Sequence, residues 1–151
     1  MNESILFRGK PKGHAGWVTG FYVHLVSPKK QSHRIYTGYA ETDCDDLYPD
    51  WFEVEPATVG QYTGLEDKGG TPIFEGDIIR TEKYGKIVGH ANVKGCETFC
   101  VVYHPAMFRL ERKKPDRGFN LVDDGYSKME IIGNIHDNPE LMEGMENGSK
   151  T

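Results

Sequence analysis

No segment of this chain approaches the roughly 18 consecutive apolar residues needed to cross a bilayer, and the N-terminus lacks the apolar core of a secretion signal. Cysteine is scarce and odd in number. Cys44, Cys96 and Cys100 cannot pair into a complete disulfide framework, which fits reduced thiols. Long stretches with a 3.6-residue apolar period are missing, and with them the case for a helical bundle. Neither a GxxxxGK[ST] nor a GxGxxG element is present to cradle phosphate. Ser4, Ser27, Ser32, Ser127 and Ser149 all lack the surroundings of a nucleophile elbow. Positive charge is in deficit too: the net charge of -5 disfavours a general nucleic-acid coat, while leaving room for a local basic patch.

What the 151 residues hold in plenty is turn-forming material, 18 glycines and 8 prolines, enough to join many short strands. The richest stretch is Gln61 to Arg80. Tyr62, Thr63 and Leu65 have strand character, and Asp67, Lys68, Gly69 and Gly70 supply a hairpin reversal. Pro72 excludes a helix. Ile73 and Phe74 resume the apolar pattern, Glu75, Gly76 and Asp77 break it, and Ile78 and Ile79 begin another β-branched segment. Gly76 frees the chain to turn, and the Asp77 carboxylate is expected to accept a backbone N–H and hold that turn. Turn chemistry is therefore preferred for Glu75 and Asp77 over a catalytic carboxylate pair, which requires a converging partner and a tuned pocket.

Upstream, residues 5–8 read as a first strand. In the next, Trp17, Thr19, Phe21, Val23 and Leu25 share one face, with Val18, Tyr22, His24 and Val26 on the other. Both faces are apolar enough to place that strand centrally or at a subunit contact. Further strands are expected at 35–37, 51–54, 61–65, 77–81, 86–91, 98–103, 107–112 and 129–135. Asn138 and Pro139 read as the N-cap and first position of a short helix through Leu141 and Met142. Short strands in quick succession suggest a small barrel or a strongly bent sheet, and Pro56 marks a hinge between an N-terminal β-rich subdomain over residues 1–58 and a second β-rich part over 59–142, followed by a polar tail over 143–151.

The Gln61 to Arg80 run, together with IIGNIHDNPEL from Ile131 to Leu141, ILFRGK near the start and the Gly16 to Val23 segment, resembles the YopX family of phage and prophage proteins. The resemblance spans residues 5–142, with the middle from Glu82 to Asp124 unmatched. It implies an SH3-like barrel in the C-terminal portion and a bacteriophage or prophage origin, hence a bacterial cytoplasm as the setting. It brings no established catalytic or binding residues to assign.

Four constellations compete as chemistry. Glu41, Asp43, Asp45, Asp46 and Asp50 form an acidic loop from Glu41 to Asp50 without the glycine and distal glutamate of a calcium-binding hand, so a solvated loop is preferred. Cys96, Cys100 and His104, with His90, suggest zinc by residue type, but in an extended strand positions four apart lie about 13 Å from one another, so no metal is expected. Cys100 reads as a small core residue and His104 as the end of a strand before Pro105. Arg109, Arg112, Lys113, Lys114 and Arg117, beside Phe108 and Phe119, outweigh Glu111 and Asp116 and could lie along a phosphate backbone. Trp17, Tyr22, Tyr36, Tyr39, Tyr48, Trp51 and Phe52 crowd the first part, and core or subunit contact is preferred for them over a peptide groove. A mainly β accessory protein follows, cofactor-free and acting as a protein-interaction module that is open to self-association. The alternatives are nucleic-acid binding through 109–117 and a hydrolase whose site only the fold would assemble.

Overall fold

The computed structural model describes residues 5–41, 47–82, 96–111, 119–120 and 129–143. Its described residues are mainly β. The chain divides into two units, Met1–Tyr62 and Thr63–Thr151.

In the first unit, β1 (Phe7–Gly9) pairs antiparallel with β2 (Val18–Val26), β2 with β3 (Gln31–Glu41), and β3 with β4 (Leu47–Glu53). β2 is thus central, between β1 and β3. The tight reversal at Ser27 and Lys30, whose backbones exchange bonds of 2.9 and 3.3 Å, sets Val26 opposite Gln31 and so Phe21 opposite Tyr36. The sheet then curls until the end of β4 meets the chain beyond β1. Lys12 N donates to Glu53 O at 2.8 Å, Glu55 N to Lys10 O at 2.9 Å, and Pro11 and Val54 form a β-bridge, while Val54 N still reaches His33 O at 2.8 Å. Four strands are closed into a ring. Inside it lie Ile35 and Val54, both fully buried, with Phe7, Tyr22 and Phe52 on the same side of their strands. A 3-10 turn at Pro56–Thr58 follows, and the Thr58 hydroxyl accepts from Lys10 N at 2.9 Å. β5 (Gly60–Glu66) opens against β1, with Gln61 opposite Phe7.

In the second unit β5 ends at the reversal after Glu66, and β6 (Pro72–Phe74) returns, with Thr63 Oγ1 donating to Ile73 O at 2.9 Å. Then come β7 (Asp77–Glu82), β8 (Cys96–His104), β9 (Met107–Glu111), β10 (Phe119–Asn120) and β11 (Met129–Asn134). They form one antiparallel sheet in the order β10-β9-β8-β7-β11. Ile73, Ile79, Phe99, Val101, Leu110 and Met129 make its core, with Leu65, Phe108 and Ile131 packed on the rim. The chain closes with α1 (Glu140–Glu143).

Both turns of the Gln61 to Arg80 run are built as their residues suggest. Asp67 Oδ1 accepts from Gly69 N at 2.8 Å and Thr71 N at 3.0 Å, Oδ2 accepts from Ile131 N at 3.3 Å, and Gly70 takes a φ of 80°. Burial pushes this carboxyl up, but the backbone N–H groups of Thr71, Gly69 and Ile131 outweigh it and hold the group below its ordinary value. Asp77, 1% exposed, accepts from Phe74 N at 2.8 Å, with Gly76 at φ 86°.

Three expectations change. Residues 47–50 are strand rather than acidic loop, because Leu47 to Asp50 pair with β3; residues 42–46 lie outside the described residues. β3 runs from Gln31, well before the expected start at 35. The Asn138 side chain does not cap the helix: its Oδ1 accepts from Asn134 N at 3.4 Å, and its main-chain oxygen receives Leu141 N at 3.1 Å. The strand expected over 86–91 lies outside the described residues.

Candidate functional site

Two polar regions assemble from distant parts of the chain, one in each unit. In the second unit, β8 and β9 meet at a two-residue hairpin, Pro105 and Ala106, with Ala106 at φ 75° and His104 opposite Met107. Cys100, Val102 and His104 alternate onto one face with Arg109 and Glu111, and His104 Nε2 lies 2.6 Å from Glu111 Oε1. Cys100 is buried. Its thiol is pushed up to about 11, first by burial and then by the carboxylates of Asp77, Glu111 and Glu75. A nucleophilic cysteine needs the opposite surroundings, a cation or a helix N-terminus that favours thiolate. This cluster therefore stores a neutral thiol, and its one histidine is engaged by a carboxylate on the neighbouring strand. Cys100 is expected to resist iodoacetamide at mildly alkaline pH in the folded chain and to react once urea unfolds it, as read by peptide mass mapping. Folded-state alkylation at the rate of a free thiol would overturn the assignment.

The zinc question has a geometric answer for the residues on one strand. Cys96, Cys100 and His104 lie along the single nine-residue strand β8, so the outer two are about 26 Å apart along it. His90 lies outside the described residues. Among the described residues no group of three or more metal-ligating side chains converges.

Of the basic stretch, Arg109 is half-buried in β9, opposite Val102 and Asn120, while Arg112, Lys113, Lys114 and Arg117 lie outside the described residues.

The first unit carries the more open arrangement. Because the ring takes Tyr22, Ile35 and Phe52 inward, the alternate residues point out: Phe21, Val23 and Leu25 from β2, Tyr36 and Arg34 from β3, Trp51 and Glu53 from β4. Phe21, Tyr36 and Trp51 stand in one row across three adjacent strands. Phe21 is 56% exposed, Leu25 41% and Trp51 39%, high values for such side chains on a packed sheet. Cations lie against the indoles. The Arg34 guanidinium sits 3.8 Å from the Trp51 ring centre, and on the Trp17 ring Arg8 sits at 4.6 Å and Lys10 at 5.4 Å. Glu53 is bridged by Lys12 at 3.0 Å and Lys30 at 3.9 Å, and the hydrogen bond and charge of Lys12 hold its carboxyl below the usual range. The result is an aromatic face with cationic side chains lying against its indoles.

Alternation along β2 groups Phe21 with Val23 and Leu25 on one face from the sequence alone, without telling which face turns outward, and the row required two registers. One was within reach, since the two-residue Pro28-Lys29 turn fixes which residue faces Phe21. The other depends on a bulge between Tyr36 and Gly38 that no local pattern announces. Of the seven aromatic residues, Tyr22 and Phe52 turn inward and Tyr36 and Trp51 outward, where Phe21 joins them.

An all-β protein of antiparallel strand units, with an aromatic and cationic strand face in the first of them, is the class these features define. The chain belongs to the YopX protein family, whose model matches residues 6–143. Among solved structures it is similar to protein EF1440 from Enterococcus faecalis, with a TM-score of 0.52 and 21% identity over 92% of this chain and 98% of that one, a likeness of fold. Among curated proteins none matches it. No described helix is long and apolar enough to cross a membrane.

Proposed function

We propose that this is an accessory protein of a bacteriophage or prophage, working in the bacterial cytoplasm by binding rather than catalysis, with the outer face of the β1–β4 ring as its recognition surface. The expected SH3-like barrel over 59–142 is part of the same reading, which membership of the YopX family supports. The observation that carries it is the row Phe21–Tyr36–Trp51, exposed at Phe21 and Trp51 and half-buried at Tyr36, with Arg34 on the Trp51 ring. Tryptophan, tyrosine and arginine are the side chains on which binding energy concentrates, because each joins a large apolar surface to a polar or charged tip. Leaving Phe21 and Leu25 partly in water forgoes about 25 cal/mol per Å² of apolar area that a partner would recover. Catalysis lacks comparable support, since the buried Cys100 thiol is held neutral.

The test compares the parent chain with a Phe21→Ser, Trp51→Ser double variant immobilised side by side in bacterial lysate, with and without nuclease, alongside sedimentation of each. A captured macromolecule or a self-associated species present for the parent and lost in the variant, with circular dichroism unchanged, is the expected result. Equal capture by both removes the face. Nothing captured and no self-association by the parent removes the binding reading altogether.

A further inference from the structure

We propose that His24 and His33 form the protein side of a divalent metal site for a cation that favours imidazole, such as Zn2+ or Ni2+, apart from the outer face and independent of it. The two residues stand directly opposite each other on β2 and β3. They share the inner side of their strands with Tyr22 and Ile35 but lie two positions nearer the Ser27–Lys30 reversal, where His24 is exposed and His33 half-buried. Their imidazoles lie one over the other, 4.1 Å between ring centres and 13° from parallel. Directly opposed residues carry their Cβ atoms about 5 Å apart, and two imidazoles that close can share one ion at metal–nitrogen bonds of about 2.0 Å. Cys96, Cys100 and His104, strung along a single strand, fail that condition.

Nitrogen lone pairs are available at this pair. Among the described residues neither ring nitrogen of His24 meets a hydrogen-bond partner, and on His33 only Nδ1 is engaged, by the Tyr22 hydroxyl at 2.5 Å. That engagement is the one a ligand needs. In the tautomer that donates Nδ1–H to the Tyr22 oxygen, Nε2 presents its lone pair, and metal-bound histidines are oriented by such a bond at the other nitrogen. Tyr22 is itself fixed against Phe7, 5.4 Å between ring centres. Parallel rings cannot both aim at one ion, so binding turns His24 about its side-chain torsions, a motion open to an exposed side chain, while His33 stays where Tyr22 holds it. Neutral imidazole suits zinc and nickel, whereas magnesium and calcium take oxygen ligands. No third metal-ligating side chain joins the pair among the described residues, so water completes the coordination and the bonds to the ion tie β2 to β3.

The experiment is calorimetric titration of the full chain, kept reduced, with NiCl2, ZnCl2 and MgCl2 near neutral pH, together with the urea midpoint read from tryptophan fluorescence in each salt. A single Ni2+ or Zn2+ per chain is expected to bind and Mg2+ is not. Either bound ion should raise the midpoint, because only the folded strands bring the two imidazoles together. His24→Gln, at an exposed position, should remove the binding while shifting the metal-free midpoint little. Tyr22→Phe keeps the ring against Phe7 and should weaken binding by about 10- to 100-fold, the size of a lost orienting bond. His104→Gln should leave it unchanged. Lowering the pH to about 5, where imidazole takes up a proton, should release the ion. Absence of Ni2+ and Zn2+ binding by the parent overturns the inference. Binding that survives in His24→Gln, or that is lost only on Cys96→Ser or His90→Gln, overturns it as well, since the ion would then sit elsewhere. A Tyr22→Phe variant that binds as the parent does removes the orienting role of the hydroxyl.

Discussion

Replacing Gly20 by alanine is expected to destabilise the first unit by about 3 kcal/mol or more, at or beyond the upper end of ordinary overpacking. Gly20 stands opposite Phe7 within β2, on the inner side of the curl. A Cβ built there would be driven into the Tyr36 carbonyl, with its carbon at 2.8 Å and Ile35 Cγ2 at 3.2 Å. The obstacle is backbone, so no rotamer change relieves it. Tyr36 cannot retreat without breaking its pairing with Phe21 and Trp51, and Ile35 is already fully buried. Gly9→Ala makes the useful comparison. There the nearest atoms belong to side chains, Ile35 Cδ1 at 3.1 Å and Val54 Cβ at 3.3 Å, and none to the backbone, so a smaller loss is expected. Both tryptophans, Trp17 and Trp51, belong to this unit, so intrinsic fluorescence in urea reports it selectively. A Gly20→Ala midpoint equal to that of the parent would show that the strands do not approach so closely.

The same glycine marks the limit of what the residues disclose. A glycine inside an apolar strand signals close backbone approach, and Val18 to Val26 was legible as a strand from its alternation. Which backbone approaches was not legible, because the ring closes through Pro11 and Val54, residues 43 positions apart in the chain. Loop closure over that distance leaves no periodic trace. Local chemistry was clearer: Asp67 with Gly70, and Asp77 with Gly76, announce their turns because the groups that make each one lie within a few residues. β3 was underestimated because Gln31, Ser32, Arg34 and Thr37 interrupt the apolar pattern, although an outward position such as that of Arg34 tolerates a polar side chain. The candidate face divides in the same way. Its β2 members were readable, while Arg34 and Trp51 join Phe21 only through two registers, one of them bulged.

Asp77 provides the complementary test in the second unit. Asp77→Ala is expected to cost about 2–4 kcal/mol, the order expected when a buried donor is left without its charged acceptor. The donor is Phe74 N–H, 2.8 Å from Oδ2, on a residue whose side chain is itself nearly buried. Asp77→Asn should behave differently. Its amide oxygen can still accept from Phe74 N, so the bond that braces the turn survives the change. A loss within about 1 kcal/mol is therefore expected for asparagine. Gly76→Ala isolates the backbone contribution: at φ 86° with no contact closer than 3.5 Å, only the left-handed strain applies, about 1–2 kcal/mol. Alkylation of Cys100 against urea is the readout, since that thiol is sealed by the β7–β8 pairing beside the turn. The ordering distinguishes a turn brace from a catalytic carboxylate, because a brace is rescued by asparagine and a general acid or base is not. Should alanine and asparagine prove equally harmless, the carboxylate is not what fixes this reversal, and its burial would call for a chemical role instead.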